Sequence, residues 1–204
     1  MSEPVRIRPF RPGDEPALME VCLRTGDAGG DASDLLEDPD LISYLWLLPY
    51  LRLAPELASV VNRGDGIGVG YVLGALDTVA FDVAAETGWW PEARARFPLD
   101  VAPADSLDGL LVHLLHHRGA PDADLVTRYP SHLHIDLLPE VQGRGLGRAM
   151  IDRLLGQLTD RGSPGVHLGT SPANTRAVAF YRHLGFDEWG RDSGGSVVFV
   201  RSLR

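Results

Sequence analysis

Apolar and polar residues alternate in several short stretches of the chain, and alternation with a period of two predicts β-strands. The predicted strands span residues 5–10, 57–61, 67–76, 132–138, 165–169, 186–189 and 196–201. Elsewhere apolar residues recur every three or four positions, which predicts helices. The predicted helices span residues 14–23, 38–48, 92–97, 107–117, 148–158 and 175–184, with Pro49 breaking the second and Gly185 ending the last.

The order of these elements predicts a mixed α/β fold in which one central sheet is flanked by helices. Residues 77–130 are the least regular part and follow the third predicted strand, so we expect a helical insertion before the fourth. Gly68, Gly70 and Gly74 in the third strand indicate that neighbouring atoms approach its backbone closely. A chain of this length fits one domain, so residues 1–204 are expected to form a single unit.

The stretch of residues 132–155 combines a strand, a glycine-rich loop and a helix. Pro139 ends the strand because it has no N–H, and the loop Gln142-Gly-Arg-Gly-Leu-Gly147 follows. Glycines let the backbone approach a ligand and the first N–H groups of a helix are unpaired, so the stretch predicts a phosphate site. Arg144 and Arg148 add positive charge. A bare tight turn is the alternative, whereas a dinucleotide loop would require glycine at position 148.

Charge and composition limit the classes of partner. The formal net charge of -9 argues against a nucleic-acid backbone and suits a cationic small molecule or peptide, although solubility alone also accounts for it. The single Cys22 excludes an internal disulfide and fits a reducing compartment. The first residues lack the apolar core of a signal peptide, and no apolar run is long enough to span a membrane. We therefore expect a cytoplasmic protein that binds neither nucleic acid nor membranes.

Two motifs resemble those of the GNAT N-acetyltransferase family. The loop from Gln142 to Gly147 is similar to the family's acetyl-coenzyme A signature, Q/R-x-x-G-x-G/A. Downstream, Asn174-Thr-Arg-Ala177 and Phe180-Tyr-Arg-His-Leu-Gly-Phe186 resemble its second motif, N-x-x-A-x-x-F-Y-x-x-x-G-F, at a spacing typical of the family. The resemblance implies the GNAT fold, acetyl-coenzyme A (acetyl-CoA) as cofactor, and direct transfer of acetyl to an amine through a tetrahedral intermediate.

The middle of the chain resembles bacterial relatives of the acetyltransferase-like C-terminal domain of eukaryotic O-GlcNAcase. This resemblance rests on residues 51–56 (LRLAPE), 70–74 (GYVLG), 89–91 (WWP) and 129–136 (YPSHLHID). In the eukaryotic domain the glycine loop is degraded, whereas here it is intact. We therefore expect this chain to bind the cofactor.

The family resemblance also implies which residues bind the cofactor. Backbone groups of Leu137 and Leu138 are expected to donate to the thioester and the pantetheine arm, since in the family this strand splays from its neighbour. The rest of the implied cofactor site comes from the two motifs: Gln142, Gly143, Arg144, Gly145, Leu146, Gly147, Arg148, Asn174, Ala177, Phe180, Tyr181 and Arg182. For Asn174, capping of the following helix is a sufficient alternative explanation.

Acetyl transfer also requires a general acid and a general base. Tyr181 matches the family tyrosine that protonates the departing thiolate, with a half-buried structural tyrosine as the alternative. His132, His134 and Asp136 alternate along the motif strand and therefore share one face. Asp136 is the first choice for the base, acting directly or through an ordered water, and His134 is the second. A structural polar role is an equal alternative for each.

Several alternatives stay open from the sequence alone. The pair His132 and His134 could suggest a metal, but no third ligand is evident, so no metal is predicted. Five aromatic residues are expected either in the core or around the acceptor pocket: Tyr44, Trp46, Tyr50, Trp89 and Trp90. The competing class of protein is a non-catalytic module that binds coenzyme A or a partner protein on the same fold. The amine acceptor, a small molecule or a peptide, is not identified, and either a monomer or a homodimer is expected.

Overall fold

The computed structural model describes residues 5–203, and their strands form one seven-stranded sheet. In chain order the strands are β1 (Arg6–Pro9), β2 (Ser59–Asn62), β3 (Gly68–Ala75), β4 (Ser131–Leu137), β5 (Gly165–Thr170), β6 (Asp187–Arg191) and β7 (Val197–Ser202). Their order across the sheet is β1-β2-β3-β4-β5-β7-β6, and every neighbouring pair is antiparallel except the parallel pair β4 and β5. The predicted mixed α/β fold is confirmed.

Helices cover both faces of this sheet. They are α1 (Glu15–Leu23), α2 (Leu41–Trp46), α3 (Leu48–Leu53), α4 (Thr78–Gly88), α5 (Trp90–Arg96), α6 (Leu107–His116), α7 (Ala123–Arg128), α8 (Leu146–Asp160) and α9 (Thr175–His183). Tyr71 of β3 lies beside Cys22 of α1, whereas Gly74 of β3 lies against Leu154 of α8. Residues 71 and 74 point to opposite faces, so α1 and α8 cover opposite faces. Within residues 5–203, no helix is both long and apolar enough to cross a lipid bilayer.

Two helical segments differ from the prediction. Pro49 does not break a helix but is the second residue of α3, where its missing N–H costs nothing because first-turn N–H groups have no intrahelical acceptor. The segment between β3 and β4 holds α4 to α7, and neither α4 nor α7 was predicted. Asp77 caps α4 by accepting the N–H of Ala80 at 2.9 Å. Val79 and Val83 on α4 are exposed, which obscures its amphipathic pattern.

Most of the aromatic residues that were candidates for a pocket wall belong to the core. Trp89 and Trp90 are 3% and 1% exposed, and Tyr50 is 6% exposed. The ring of Tyr44 packs against Trp89, with 5.2 Å between ring centroids. Trp46 is half-buried and contacts a histidine of β4, as described below. Core packing therefore accounts for the aromatic residues other than Trp46.

The strands β4 and β5 separate shortly after they begin. In the described chain they pair at Ser131 with Val166 and at His132 with His167, and the pairing stops there. β4 nevertheless continues to Leu137 and pairs with β3 up to its end. One edge of β4 is therefore open toward β5 from residue 133 onward.

Gly70 of β3 is required by the close approach of β4. A Cβ atom at this position would overlap the side chain of Leu137 and lie 2.9 Å from the carbonyl oxygen of Asp136. We expect Gly70→Ala to lower the free energy of unfolding by about 1–3 kcal/mol, because the strands must shift to make room. Gly156→Ala on α8 is the matched control, since position 156 has open space and alanine favours a helix by up to about 1 kcal/mol. Urea denaturation compares the two variants, and equal stabilities would contradict this contact.

Candidate active site

The open edge of β4 presents backbone groups to the gap beside β5. Leu138 N–H donates to the carbonyl oxygen of Val69 at 3.0 Å. Since successive N–H groups of a strand point to opposite edges, those of Ile135 and Leu137 point into the gap. The expectation that Leu138 N–H donates to the cofactor is therefore wrong, because that group is already bonded within the sheet. Leu137 is the residue at the end of β4 whose N–H points into the gap.

Gln142 ties the glycine loop to this strand. Its Nε2 donates to the carbonyl oxygen of Leu137 at 2.6 Å, and its Oε1 accepts a hydrogen bond from Arg176 of α9. These two bonds join the end of β4, the start of the loop and the first turn of α9. The position of the loop therefore depends on Arg176, a residue that the sequence motifs did not single out.

The glycine loop adopts a conformation that requires glycine at two positions. Gly143 has φ 69° and Gly145 has φ 76°, both in the left-handed region that residues with a Cβ rarely adopt. No atom lies within 4 Å of a Cβ built at either position, so the loop is open on that side. At Gly147 a Cβ would lie 3.1 Å from the ring of Phe180, so this glycine lets α9 pack against the start of α8.

The N-terminus of α8 fits the phosphate groups of a coenzyme. The helix begins at Leu146, which is half-buried, and its first N–H groups have no intrahelical acceptor. Arg144 and Arg148 are exposed, and neither forms an ion pair with another residue in the described part of the chain. Both guanidinium groups are therefore available to an anionic ligand at this helix end.

Replacement of Arg144 or Arg148 by alanine is expected to weaken the binding of acetyl-CoA by at least about tenfold. A hydrogen bond to a charged group contributes roughly 1.5–3 kcal/mol, and 1.4 kcal/mol corresponds to a factor of ten. Isothermal titration calorimetry at low and high salt measures both the loss and its screening. Arg161→Ala is the control, because Arg161 is exposed at the opposite end of α8. Equal affinities for all three variants would contradict this assignment.

A cavity of about 110 Å³ lies where β4 and β5 separate. It is lined by residues of β4, β5 and α9: Leu133, His134, Ile135, Asp136, Gly169, Thr170, Asn174, Ala177 and Tyr181. The acid suggested by the second motif and both candidate bases of the motif strand therefore line the same cavity. Side chains that are distant in sequence meet there because β5 turns away from β4 and α9 follows β5.

Asp136 carries the ionisable group best suited to accept a proton. Burial raises the pKa of its carboxyl group to about 6, although the hydrogen bond from Tyr71 and the nearby hydroxyl of Thr25 lower it. The hydroxyl of Tyr71 donates to Oδ2 of Asp136 at 2.6 Å. A carboxylate with this pKa is ionised at pH 7 and is a stronger base than an ordinary aspartate, as general base catalysis requires.

Tyr181 supplies a protonated hydroxyl to the same cavity. Burial, together with the nearby charge of Asp136, raises the pKa of its phenol above the ordinary value, so the hydroxyl stays protonated at neutral pH. Contacts with Phe186 and Phe199, at 5.7 and 5.6 Å between ring centroids, fix the ring. A protonated and rigidly held hydroxyl is suited to act as a general acid.

His134 is less suited than Asp136 to act as the base. Its ring packs against Trp46 and Tyr50, at 5.7 and 5.1 Å between ring centroids. Burial, together with the nearby charge of Arg118, lowers the pKa of His134 to about 4. The imidazole is therefore neutral at pH 7, but it holds a proton far more weakly than the carboxyl group of Asp136.

His132 is a structural polar residue. Its Nδ1 is hydrogen-bonded to the hydroxyl of Thr78 at 2.7 Å, and its Nε2 to the hydroxyl of Tyr50 at 2.8 Å. With both ring nitrogens engaged, no lone pair is left for a metal or a substrate. Among residues 5–203, no third His, Cys, Asp or Glu joins His132 and His134 in a cluster that could hold a metal ion.

Asn174 connects the start of α9 to the loop between α1 and α2. Its Oδ1 accepts the N–H of Ala177 at 3.0 Å, which caps the helix. Its Nδ2 lies against Gly29, where an added Cβ would come within 2.7 Å. Asn174 and Ala177 both line the cavity, so the two residues that form the helix cap also form part of the cavity wall.

Two other residues of the second motif lie outside the cavity. Phe180 packs against Gly147 and so positions the first turn of α8. Arg182 forms an exposed ion pair with Glu188 of β6 at 2.8 Å. The structure does not bring Arg182 to the cavity, because it lies near the C-terminal end of α9 and its charge is paired there.

Sequence reasoning missed Tyr71 and Thr25, the two residues whose hydroxyls lie beside Asp136. Tyr71 is directly opposite Asp136 in the pairing of β3 with β4. β3 is apolar and buried on both faces, so its pattern fixes neither the face of Tyr71 nor the residue of β4 that lies opposite. Thr25 belongs to a polar loop in which no pattern marks one residue.

An open strand edge, a glycine loop at a helix N-terminus, and a carboxyl group and a phenol that line the cavity between β4 and β5 form the kind of site that an acyl-CoA-dependent N-acetyltransferase requires. Each part suits one chemical role: the loop can bind phosphate, the strand edge can donate to a carbonyl group, and the carboxyl group and phenol can exchange protons.

Comparisons with known proteins agree with this class. A profile of the acetyltransferase (GNAT) family matches residues 123–186. The crystal structure of SsHAT is 41% identical, covers 99% of this chain and 100% of that chain, and has a TM-score of 0.91. The structure of yncA from Salmonella typhimurium, solved with its cofactor acetyl-CoA, is 16% identical with a TM-score of 0.58, covers 99% of this chain and 95% of that chain, and shares the fold.

A curated relative extends the comparison to a much longer protein. Protein O-GlcNAcase of Rattus norvegicus is 25% identical over 202 residues, which are 97% of this chain and 22% of that protein. The chain thus spans about a fifth of the length of this relative. The chain belongs to the acetyltransferase (GNAT) family, and both resemblances seen in its sequence are confirmed.

Proposed function

We propose that this chain transfers the acetyl group of acetyl-CoA directly to a primary amine of a small molecule or a peptide. Acetyl-CoA is the cofactor and supplies the acetyl group as an activated thioester. The observation that carries the proposal is the cavity between β4 and β5, where Asp136 and Tyr181 meet beside the open backbone edge of β4. This arrangement lets one bound amine reach a base, a carbonyl donor and an acid together.

Three groups of the chain take the three roles. The N–H of Leu137 points into the gap and polarises the thioester carbonyl. Asp136 removes a proton from the ammonium form of the acceptor, directly or through one water molecule. Tyr181 donates its proton to the departing sulfur and then takes up the second proton of the acetylated nitrogen, which restores the phenol. Because acid and base are separate residues in one cavity, no covalent acetyl-enzyme is needed.

The raised pKa of Asp136 also argues against a non-catalytic module on the same fold. Burial that raises the pKa of Asp136 to about 6 lowers the stability of the folded chain at neutral pH. A module that only binds a coenzyme or a partner gains nothing from this cost. Strongly shifted ionisable groups in a cavity are instead typical of catalytic sites.

The net charge of -9 favours a cationic acceptor, because it attracts positive molecules at long range. We further propose that residues 1–204 act as one domain, in the cytoplasm, as a monomer or a homodimer.

The test of the function is thiol release from acetyl-CoA in the presence of a panel of amines, namely polyamines, amino sugars, aminoglycosides and lysine peptides. The single cysteine of the chain, Cys22, is buried, so a thiol reagent reports the product with little background. We expect release that depends on an acceptor and follows sequential rather than ping-pong kinetics. Tight binding of acetyl-CoA with no release for any amine would favour the non-catalytic module.

A further inference from the structure

Asp136 depends on one buried hydroxyl for its position and its charge. Tyr71 is fully buried, lies opposite Asp136 in the register of β3 with β4, and donates to Oδ2 at 2.6 Å. We propose that Tyr71 is a positioning residue for acetyl transfer, whose hydroxyl fixes the Asp136 carboxylate at the cavity and stabilises its ionised form. This inference rests on the proposed function, in which Asp136 is the base.

The neighbouring hydroxyl of Thr25 does not replace this bond. A hydroxyl has one proton to donate, and Thr25 Oγ1 donates to the carbonyl oxygen of Val21 at 2.7 Å. Tyr71 has no competing oxygen acceptor within the described residues, so its proton is committed to Asp136. Of the two hydroxyls beside Asp136, that of Tyr71 therefore donates to the carboxylate, whereas that of Thr25 donates to a backbone carbonyl group.

The other ionisable groups around Asp136 keep a constant charge between pH 5 and pH 8. On β4, the pKa of His134 is lowered to about 4, chiefly by burial, so it is neutral in this range. On α1, burial raises the pKa of Cys22 to about 12. On β3 and α9, burial and the charge of Asp136 raise the pKa values of Tyr71 and Tyr181 above the ordinary value of a phenol. A change in activity within this pH range therefore reports the ionisation of Asp136.

The sign of the expected effect follows from which form Tyr71 stabilises. A hydrogen bond donated to the carboxylate stabilises its ionised form, so removing this bond raises the pKa of Asp136. The burial of Asp136, which also raises the pKa, is unchanged in the variant. A bond of roughly 1.5 kcal/mol corresponds to about one pH unit. Tyr71→Phe should thus move the acidic limb of kcat/KM from about pH 6 to about pH 7. Activity should fall about threefold at pH 6.5 and change little at pH 8.5.

The experiment measures the pH profile of Tyr71→Phe, with Tyr50→Phe as the matched control. Tyr50 is also a buried tyrosine, but its hydroxyl bonds to His132 rather than to a residue of the catalytic pair. The affinity for acetyl-CoA should be unchanged in Tyr71→Phe, which also reports correct folding. A lower plateau with an unmoved limb, or an equal shift in Tyr50→Phe, would overturn the proposal.

A second measurement needs no turnover. The ¹³C resonance of the Asp136 side-chain carboxyl, assigned by its loss in Asp136→Asn, is titrated in the wild type and in Tyr71→Phe. A higher pKa of Asp136 in the variant supports the role of Tyr71, even if no acceptor reacts. The absence of any reaction would then contradict the proposed function alone. An identical titration in both proteins would overturn the inference whether or not the wild type transfers acetyl groups.

Discussion

Replacement of Tyr181 by phenylalanine should lower kcat by roughly 10²–10⁴, the usual contribution of a positioned general acid. The hydroxyl is the only group removed, and the ring contacts with Phe186 and Phe199 remain. The affinity for acetyl-CoA should stay within about twofold, because the pyrophosphate contacts assigned to the glycine loop are untouched. Steady-state kinetics with a reactive amine, together with calorimetric titration of acetyl-CoA, separate the two effects.

The control for this variant is Tyr129→Phe. Tyr129 packs against Trp189 in a separate apolar cluster beside β7 and does not line the cavity in the described chain. Its replacement should leave kcat unchanged. If Tyr181→Phe also turns over at the wild-type rate, Tyr181 is a structural residue and another group protonates the thiolate.

Asp136→Asn should lower the activity and raise the stability of the folded chain at neutral pH. The amide keeps the size of the carboxyl group but cannot accept a proton, so kcat/KM should fall by roughly 10²–10⁴. The activity loss should be largest above pH 6, where the wild-type carboxyl group is ionised. His134 should not compensate, because burial lowers its pKa to about 4.

The stability gain follows from the raised pKa of Asp136. Folding raises it from 3.8 to about 6, so between these values the folded state binds more protons than the unfolded state. Stability is therefore lost as the pH rises through this window, by at most about 3 kcal/mol at neutral pH. Asp136→Asn lacks this loss, so its advantage over the wild type should be about three times larger at pH 7.5 than at pH 4.5.

Urea denaturation of both proteins at these two pH values measures the difference. At pH 4.5 the carboxyl group of the folded wild type is mostly protonated and resembles the amide, so the two proteins should differ less there than at pH 7.5. A stability difference that does not change with pH would show that the carboxyl group is not destabilised by burial, and would weaken its assignment as the base.

The parts of the site that lie close together in sequence could be predicted from it. The loop from Gln142 to Gly147 and the capped start of α9 at Asn174 each depend on local backbone geometry, which residue types reveal directly. The alternation of β4 likewise placed His134 and Asp136 on one face. These predictions needed no knowledge of which strands are neighbours.

The parts that depend on strand pairing could not be predicted. A slip of one residue between β3 and β4 would place Val72 rather than Tyr71 opposite Asp136, and nothing in the sequence of β3 excludes that slip. The error at Leu138 has the same origin, because pairing with Val69 decides which N–H groups face the gap. The sequence already favours Asp136 over His134, but the shifted pKa values that support this order depend on burial, which only the three-dimensional arrangement supplies.

The early separation of β4 from β5 divides the sheet mechanically as well as chemically. β1 to β4 form one ribbon, β5 to β7 form another, and two residue pairs join them, Ser131 with Val166 and His132 with His167. A ligand that lies in the gap and contacts both β4 and β5 connects the two parts of the sheet. We therefore expect bound acetyl-CoA to raise the stability of the folded sheet, because it binds the folded chain and contacts both parts of the sheet.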